Sequence, residues 1–202
     1  MLLHLDDFLP LGQRLIFDLR ENALYSDQSV SAEVPDWSRE TPAVLWDPGR
    51  RLLLTIRRYQ YWRAKEGILA TYIRRWIVLR HRFWSAVTGA DIPLNCQIGG
   101  GLLIPHPNGI VVHPEAKIGV NCLVFQQVTI GYRDSKIAPV VGGHVDIGAG
   151  AKILGAVTVG EHVKIGANSV VLHDLPAGCV AVGAPAKIVR YQSNYGSACE
   201  KT

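Results

Sequence analysis

The sequence contains one histidine in a setting that suits proton transfer. His106 lies between Pro105 and Pro107 and just before Asn108-Gly109, a combination typical of an irregular, exposed turn. Neutral imidazole at pH 7 can accept a proton from an attacking hydroxyl, so His106 is the candidate general base. The alternative is that His106 is an ordinary surface residue of the turn.

A carboxylate is available to orient this imidazole. Asp91 precedes His106 in the chain, and a carboxylate beside an imidazole fixes its tautomer and stabilises the imidazolium. The two residues can act together only if the fold brings them close. The alternative for Asp91 is a capping role where a helical region meets the next element.

A six-residue repeat is expected to position these side chains. Branched apolar residues recur at steps of six in three series after Gly89, a region that also holds most of the glycines. The anchors are Ile92, Ile98, Ile104, Val112, Ile118, Val124, Ile130, Val141, Ile147, Ile153, Val159, Ile165 and Val171. A period of six fits neither a helix nor simple alternation, and it predicts a parallel β-helix in which each unit is a short strand and a turn.

Three units form one triangular coil, and coils stack at strand spacing, roughly 4.8 Å. The separation of Asp91 and His106 in the sequence puts them one coil apart and half a face round, a few ångströms from each other. His144 and His162 are separated by one full coil, so they are expected to stack on a solvated face. His144 also borders a long loop, so it is a further candidate for lining an acceptor site.

The residues before Gly89 are predicted to be helical. Residues 1–49 begin with a helical pattern and become loop-like where prolines accumulate. Residues 50–87 hold no proline, and their apolar residues follow the spacing of one long amphipathic helix, broken near Gly67. The expected buried stripe is Leu69, Tyr72, Ile73, Trp76, Ile77, Phe83, Trp84 and Val87.

The other face of this helix is strongly basic. Its arginines are Arg57, Arg58, Arg63, Arg74, Arg75, Arg80 and Arg82. The simplest interpretation is a solvated face, partly neutralised by the acidic N-terminal residues; the alternative is a weak contact with an anionic membrane surface. Nucleic acid is not expected as a partner, because no groove-reading motif accompanies the charge.

The domain organisation follows from these patterns. We predict an α+β chain with a helical N-terminal domain over 1–88, a β-helix over 89–190 and a tail over 191–202. The sequence contains no apolar run long enough to span a bilayer, and its start lacks the basic region of a signal peptide. The four cysteines are widely spaced, which indicates reduced thiols, so a cytoplasmic protein is expected.

The repeat region resembles a known enzyme family. The residues that carry the resemblance are the run from Gly89 to Gly119, FQQVTIG at 125–131, GAGAKILG at 148–155, IGANSVVL at 165–172 and VGAPAKIV at 182–189. They are similar to the serine O-acetyltransferase branch of the hexapeptide-repeat acyltransferases. The resemblance implies a left-handed β-helix, a homotrimer whose helices could pair two trimers, and O-acetylation of a small hydroxyl acceptor by acetyl-CoA.

The resemblance also assigns residues. It implies that Asp91 and His106 form the catalytic dyad, and that acetyl-CoA binds in a groove between neighbouring β-helices against Ala149, Ala167 and Lys187. No metal is expected: the zinc-dependent carbonic anhydrases of this fold carry two histidines five residues apart, and this sequence has no such pair.

The sequence departs from that family where the family recognises an amino acid. Pro105 replaces the Asp before the catalytic His, and Ile137 and Ala138 replace an Arg-His pair in the loop. Because neither Pro105 nor Ile137 carries charge, the sequence favours a sugar hydroxyl, in a surface polysaccharide or its precursor, over zwitterionic serine. The residues expected to bind the acceptor are Asn108, Tyr132 and His144. Two alternatives stay open: an L-serine O-acetyltransferase of cysteine biosynthesis, and a non-enzymatic trimeric scaffold.

Overall fold

The computed structural model describes residues 30–133 and 137–192, and the fold is given for these residues. The helix expected near the start of the chain and most of the expected tail lie outside them. Among the described residues, no helix is both long and apolar enough to cross a bilayer.

Two helices precede the repeats: α1 (Pro48–Arg63) and α2 (Ile68–Thr88), with a short 3₁₀ turn (Trp37–Glu40) before them. Helix α1 begins with proline at its first position, and the Asp47 carboxylate accepts the backbone N–H of Arg50 at 3.3 Å. Helix α2 is capped at its C-terminal end by Gly89, whose φ of 66° lies in the left-handed region that glycine tolerates. The break predicted near Gly67 is confirmed.

The residues after α2 form a parallel β-helix with three faces. Its strands are β1 (Gln97–Ile98), β2 (Val111–Val112), β3 (Lys117–Ile118), β4 (Leu123–Val124), β5 (Thr129–Gly131), β6 (Val140–Val141), β7 (Asp146–Ile147), β8 (Lys152–Leu154), β9 (Thr158–Val159), β10 (Lys164–Ile165), β11 (Val170–Val171), β12 (Cys179–Val182) and β13 (Lys187–Tyr191). The first face holds β2, β5, β8 and β11, and the second holds β1, β3, β6 and β9. The third face holds β4, β7, β10 and β12, and β13 pairs with β12 in the antiparallel direction.

The six-residue anchors fill the interior, as predicted. All thirteen are buried, and Ile98, the most accessible, is only 7% exposed. Strand register stacks anchor on anchor: Ile98 pairs with Ile118, and Ile118 pairs with Val141. Branched side chains suit this arrangement because they pack well against like neighbours on a pleated surface.

The coils are not all of the expected length. Val111 pairs with Asp91 in the preceding coil and with Thr129 in the following coil. The interval from Val111 to Thr129 equals three hexapeptides, whereas the interval from Asp91 to Val111 is longer by two, because the Pro-His-Pro-Asn-Gly corner holds the extra residues. Thr129 then pairs with Lys152, at a still longer interval, because a longer loop follows β5.

The helices pack on the first coils by a narrower face than predicted. Leu52, Leu53 and Ile56 of α1 and Trp84 of α2 belong to the same buried cluster as the anchors. The prediction of a single buried stripe on α2 is wrong, since only Ile77 and Trp84 of that stripe are buried. The side chains of Leu69, Tyr72, Trp76, Phe83 and Val87 are exposed.

The expectation that the arginine side chains are solvated is also wrong for Arg57. Arg57 is half-buried, and its Nη2 and Nε donate to the two carboxylate oxygens of Glu40 at 2.7 and 2.8 Å. The same guanidinium donates to the carbonyl oxygens of Ile98 and Gly99, each at 2.6 Å. Glu40 also accepts the backbone N–H of Leu102 at 2.9 Å, so this ion pair ties α1 and the 3₁₀ turn to the first coil.

The cysteines of the described residues are Cys96, Cys122 and Cys179, and all three are free and buried. Burial raises the pKa of the Cys122 thiol to about 12, so it stays protonated at neutral pH. The expectation of reduced thiols is confirmed for these three residues.

Candidate functional site

One edge of the triangular prism gathers most of the predicted site residues. This His106 edge, between the third and first faces, consists of residues 105–109, 125–127, 148–150 and 166–168. Backbone hydrogen bonds join its corners in order: Gln127 donates to Asn108, Gly150 to Gln126, and Asn168 to Ala149, at 2.8 to 2.9 Å. Because the coils are spaced by roughly 4.8 Å, the edge extends roughly 15 Å from the first corner to the fourth.

Each corner of this edge turns through one residue in the left-handed region. The φ angles are 70° at Gly109, 59° at Gln127, 73° at Gly150 and 56° at Asn168. Side chains larger than glycine rarely adopt such angles, which explains why glycine or a polar amide stands at the same place in every coil. The repeated turn keeps the corners in register along the edge.

The structure brings Asp91 and His106 to this same edge. Asp91 begins the first face, where its N–H donates to Ile110 O at 2.8 Å and its carbonyl accepts from Val112 N at 2.9 Å. The corner of His106 comes directly before β2 in the chain, and β2 is the strand that pairs with Asp91. Both side chains are exposed, and no hydrogen bond joins them in the described chain. Catalytic hydrogen bonds often tighten only when ligands bind, so the dyad stays a prediction.

His81 is a neighbour of Asp91 that the sequence did not single out. It lies on α2 with its Nδ1 3.2 Å from Thr55 Oγ1, between the helices and the first coil. Burial lowers the pKa of His81, while the Asp91 carboxylate and a hydrogen bond to the backbone of Ile92 oppose that shift. No periodic pattern in the sequence marks His81, because its contact with Thr55 depends on how the two helices pack.

The two alanines expected to contact the donor lie on the same edge, in the third and fourth corners. Ala167 is exposed and Ala149 partly exposed. At Gly148 an added Cβ would lie 2.6 Å from the backbone nitrogen of Ala167, so the corners approach each other closely. Lys187 begins β13, opposite Val182, just after the turn that continues this edge. The His106 edge is therefore narrow and has small side chains at its third and fourth corners, and a lysine lies near its far end.

Gln126 is a second residue of this edge that the sequence did not single out. Its side-chain oxygen Oε1 is buried and has no hydrogen-bond partner among the described residues. A buried acceptor left unsatisfied costs about 1–3 kcal/mol.

Tyr132 lies on another edge, between the first and second faces. Its ring stacks on His113, with centroids 3.8 Å apart, and its hydroxyl donates to the Glu115 carboxylate. That hydrogen bond raises the pKa of Tyr132. Asn108, in contrast, lies on the His106 edge, so these two of the three residues expected to bind the acceptor are on opposite sides of the first face.

His144 lies on the third edge, between the second and third faces. Its Nδ1 is 2.7 Å from Nδ1 of His162, and it is 8% exposed. The two histidines are neighbours one coil apart, as predicted, with their rings edge to face. The expected solvated setting is wrong for His144, because residues 31–36 cover this edge. Asn121 holds that segment by donating to the carbonyl oxygens of Ser31 and Val34 at 2.7 and 2.8 Å. Within one subunit, His144 does not line the His106 edge.

No grouping in the described residues offers three or more histidine, cysteine or carboxylate side chains to a metal ion. The His106 edge carries an imidazole, a nearby carboxylate and a narrow backbone groove. An imidazole beside a carboxylate suits removal of a proton from a nucleophile as it attacks.

Comparison with known proteins identifies the family. No family model matches the chain. Over 168 residues it is 38% identical to the serine acetyltransferase of Helicobacter pylori strain J99, an alignment that covers 82% of this chain and 95% of that protein. The chain belongs to the serine acetyltransferase family. This confirms the hexapeptide-repeat family predicted from the sequence and, with it, the prediction of an acyltransferase.

Solved structures of the family share the fold. Soybean serine acetyltransferase complexed with serine is 34% identical, with a TM-score of 0.63, over 87% of this chain and 76% of that one. A serine acetyltransferase in complex with CoA is 35% identical, with a TM-score of 0.60, and this chain covers 58% of its length. These similarities confirm the predicted left-handed β-helix.

Proposed function

We propose that the protein transfers the acetyl group of acetyl-CoA to the hydroxyl of L-serine. The observation that carries this proposal is the 38% identity with the Helicobacter pylori serine acetyltransferase across 95% of that protein. The soybean relative with serine and the relative with CoA support the same acceptor and donor. The exposed His106 edge supplies a base where such a reaction needs one.

The chemistry assigned to this edge is direct acyl transfer. His106 takes the proton of the hydroxyl as its oxygen attacks the thioester carbonyl, forming the new C–O bond. Asp91 orients the imidazole and stabilises the imidazolium. The tetrahedral intermediate then collapses, the C–S bond breaks, and the leaving thiolate of CoA takes the proton from His106.

The donor is proposed to lie along the His106 edge. Small side chains at Ala149 and Ala167 leave room for the thin pantetheine arm against the backbone. Lys187, near the far end of the edge, can meet a phosphate. The homotrimer implied by the family would close this groove with a second β-helix, and pairing of two trimers through the helices stays a further proposal.

Substitution of Ala167 by tryptophan tests the donor groove. We expect the KM for acetyl-CoA to rise about tenfold or more, because the indole occupies the groove, while kcat at saturating donor changes less. Steady-state kinetics with varied acetyl-CoA measure both constants. Ala177→Trp, at an exposed position on the third edge, between the second and third faces, is the matched control. An unchanged KM in Ala167→Trp would remove the donor from this edge.

A sugar hydroxyl is kept as the second candidate acceptor. Pro105, at the corner of His106, and Ile137, which is 61% exposed in the loop after β5, cannot carry charge. If serine is the acceptor, groups other than these two positions must hold its ammonium and carboxylate. A neutral sugar needs neither partner.

An acceptor screen with acetyl-CoA separates the two. We expect kcat/KM for L-serine above about 10⁴ M⁻¹s⁻¹, in the ordinary enzymatic range, and at least about a hundredfold above nucleotide sugars and oligosaccharides. Release of the CoA thiol, followed with a thiol reagent, measures the rate for every acceptor. The opposite order would establish a sugar hydroxyl as the acceptor. No thiol release with any acceptor would favour a non-enzymatic trimeric scaffold.

A further inference from the structure

Helix α2 carries a second apolar face, which points away from the fold. Six large side chains make up this outer stripe: Leu69, Tyr72, Trp76, Leu79, Phe83 and Val87, which are 40 to 70% exposed. They recur at steps of three and four along the whole helix, so they form one continuous line. A helix that is apolar on two sides needs a partner on each.

The outer stripe is separate from the face that packs on the fold. The buried residues of α2 are Ala70, Ile77, Trp84 and Thr88. At 3.6 residues per turn, the centres of the two faces are about 120° apart round the helix axis. The outer stripe is therefore not an extension of the core but a surface of its own.

Positive charge flanks this stripe on both sides. On the helical wheel, Arg80 lies next to the stripe on one side and the exposed Arg75 and Arg82 lie beyond its other side. Neither α1 nor α2 contains an aspartate or glutamate. Between Pro48 and Ala90 the sole acidic residue is Glu66, in the turn between the helices.

We propose that the outer stripe of α2 lies in the interface of a membrane leaflet that contains anionic lipid. Tryptophan, tyrosine and phenylalanine side chains favour the boundary between headgroups and acyl chains, and Tyr72, Trp76 and Phe83 supply all three in one line. Apolar residues flanked by arginine are the pattern of helices that lie in the plane of the interface. The arginines add attraction to anionic headgroups. This proposal does not rest on the proposed acetyl transfer.

The charges also oppose a second copy of the outer stripe as its partner, so any pairing of two trimers through the helices would use other surfaces of the helices. A two-fold pairing places the same surface on both sides of the contact. It would bring Arg75, Arg80 and Arg82 of one copy towards those of the other, with no carboxylate on either helix to neutralise them. Like charges facing each other oppose association, whereas an anionic leaflet neutralises all of them.

Co-sedimentation of the full chain with vesicles tests the proposal. Vesicles of phosphatidylcholine with roughly one-third phosphatidylserine are compared with pure phosphatidylcholine. We expect binding to the anionic vesicles that weakens as salt is added. The Trp76→Ser/Phe83→Ser double variant should lower the partition coefficient by about ten- to a hundredfold, and each of Arg75→Gln and Arg82→Gln by about fivefold.

Matched substitutions outside the stripe provide the controls. Val34→Ser removes an exposed apolar side chain, and Lys117→Gln removes an exposed positive charge on the second face of the β-helix; neither should change vesicle binding. Brominated lipid reports insertion directly, because it should quench tryptophan emission in the wild type and quench it less in Trp76→Phe. Thermal melting of each variant establishes that it is folded.

Two results would overturn the proposal. One is binding to anionic vesicles that is absent, or that the stripe substitutions leave unchanged while the variants are folded. The other is a fall of the particle mass to a half or a third, measured by light scattering, when Trp76 and Phe83 are replaced, since that assigns the outer stripe to another copy of the chain.

Discussion

Replacement of His106 by alanine is expected to lower kcat by roughly 10²–10⁴ and to leave the KM for acetyl-CoA nearly unchanged. In the proposed mechanism the imidazole takes the proton of the acceptor hydroxyl, so its loss removes stabilisation that exists mainly in the transition state. The proposed donor groove consists of backbone and small side chains of later coils, which the substitution does not touch. Initial rates of thiol release at saturating substrates measure kcat.

Asp91→Asn is expected to reduce kcat less than His106→Ala. The proposed base remains, but it loses the carboxylate that is proposed to orient it and to stabilise its charged form. His173→Ala, which removes an exposed histidine from a turn outside the His106 edge, is the matched control and should leave kcat unchanged. Near-normal turnover in His106→Ala would assign the base to another residue and would remove the catalytic role of this edge.

Replacement of Glu40 by alanine is expected to destabilise the folded protein by about 3–5 kcal/mol. Glu40 is 6% exposed and accepts two hydrogen bonds from the Arg57 guanidinium and one from Leu102 N. Without the carboxylate, the half-buried guanidinium is left without its counter-charge, and the N–H of Leu102 loses its partner. Urea unfolding at fixed protein concentration measures the change as a lower midpoint.

Glu161→Ala removes an exposed carboxylate from the β-helix and is the control for Glu40; it should change stability by no more than about 0.5 kcal/mol. The double variant Glu40→Ala/Arg57→Met should recover part of the loss, because it removes the uncompensated charge as well. If Glu40→Ala unfolds at the same urea concentration as Glu161→Ala, this ion pair does not hold the helices to the first coil.

The repeats were predictable because their signal is local and redundant. Each anchor, such as Ile118 or Ile147, must point into the same narrow interior, so selection of a branched apolar residue repeats at every sixth position. The helix break near Gly67 was predictable for a similar reason, since one residue with no Cβ interrupts two periodic runs. The His106 corner was visible as the place where the period fails.

The orientation of α2 was not predictable from its own sequence. Its apolar residues extend round more than one side of the helix, and Trp76 and Trp84 are equivalent in type. The buried side is decided by α1 and the first coil, which accept Ile77 and Trp84 and leave Trp76 in solvent. Likewise, Arg57 looks like any other surface arginine until Glu40, from the 3₁₀ turn before α1, folds back onto it.

The sequence by itself determined the β-helix, its thirteen anchors and the irregular corner at His106, because a period of six admits one arrangement of strands and turns. Only the tertiary structure decided which corners share an edge. The two extra residues of the first coil and the longer loop after β5 shift the register, and this shift places Ala149 and Ala167 in line with His106 but puts Tyr132 and His144 on separate edges. Long-range contacts made that choice, since side chains distant in sequence meet only where stacked coils bring their corners together.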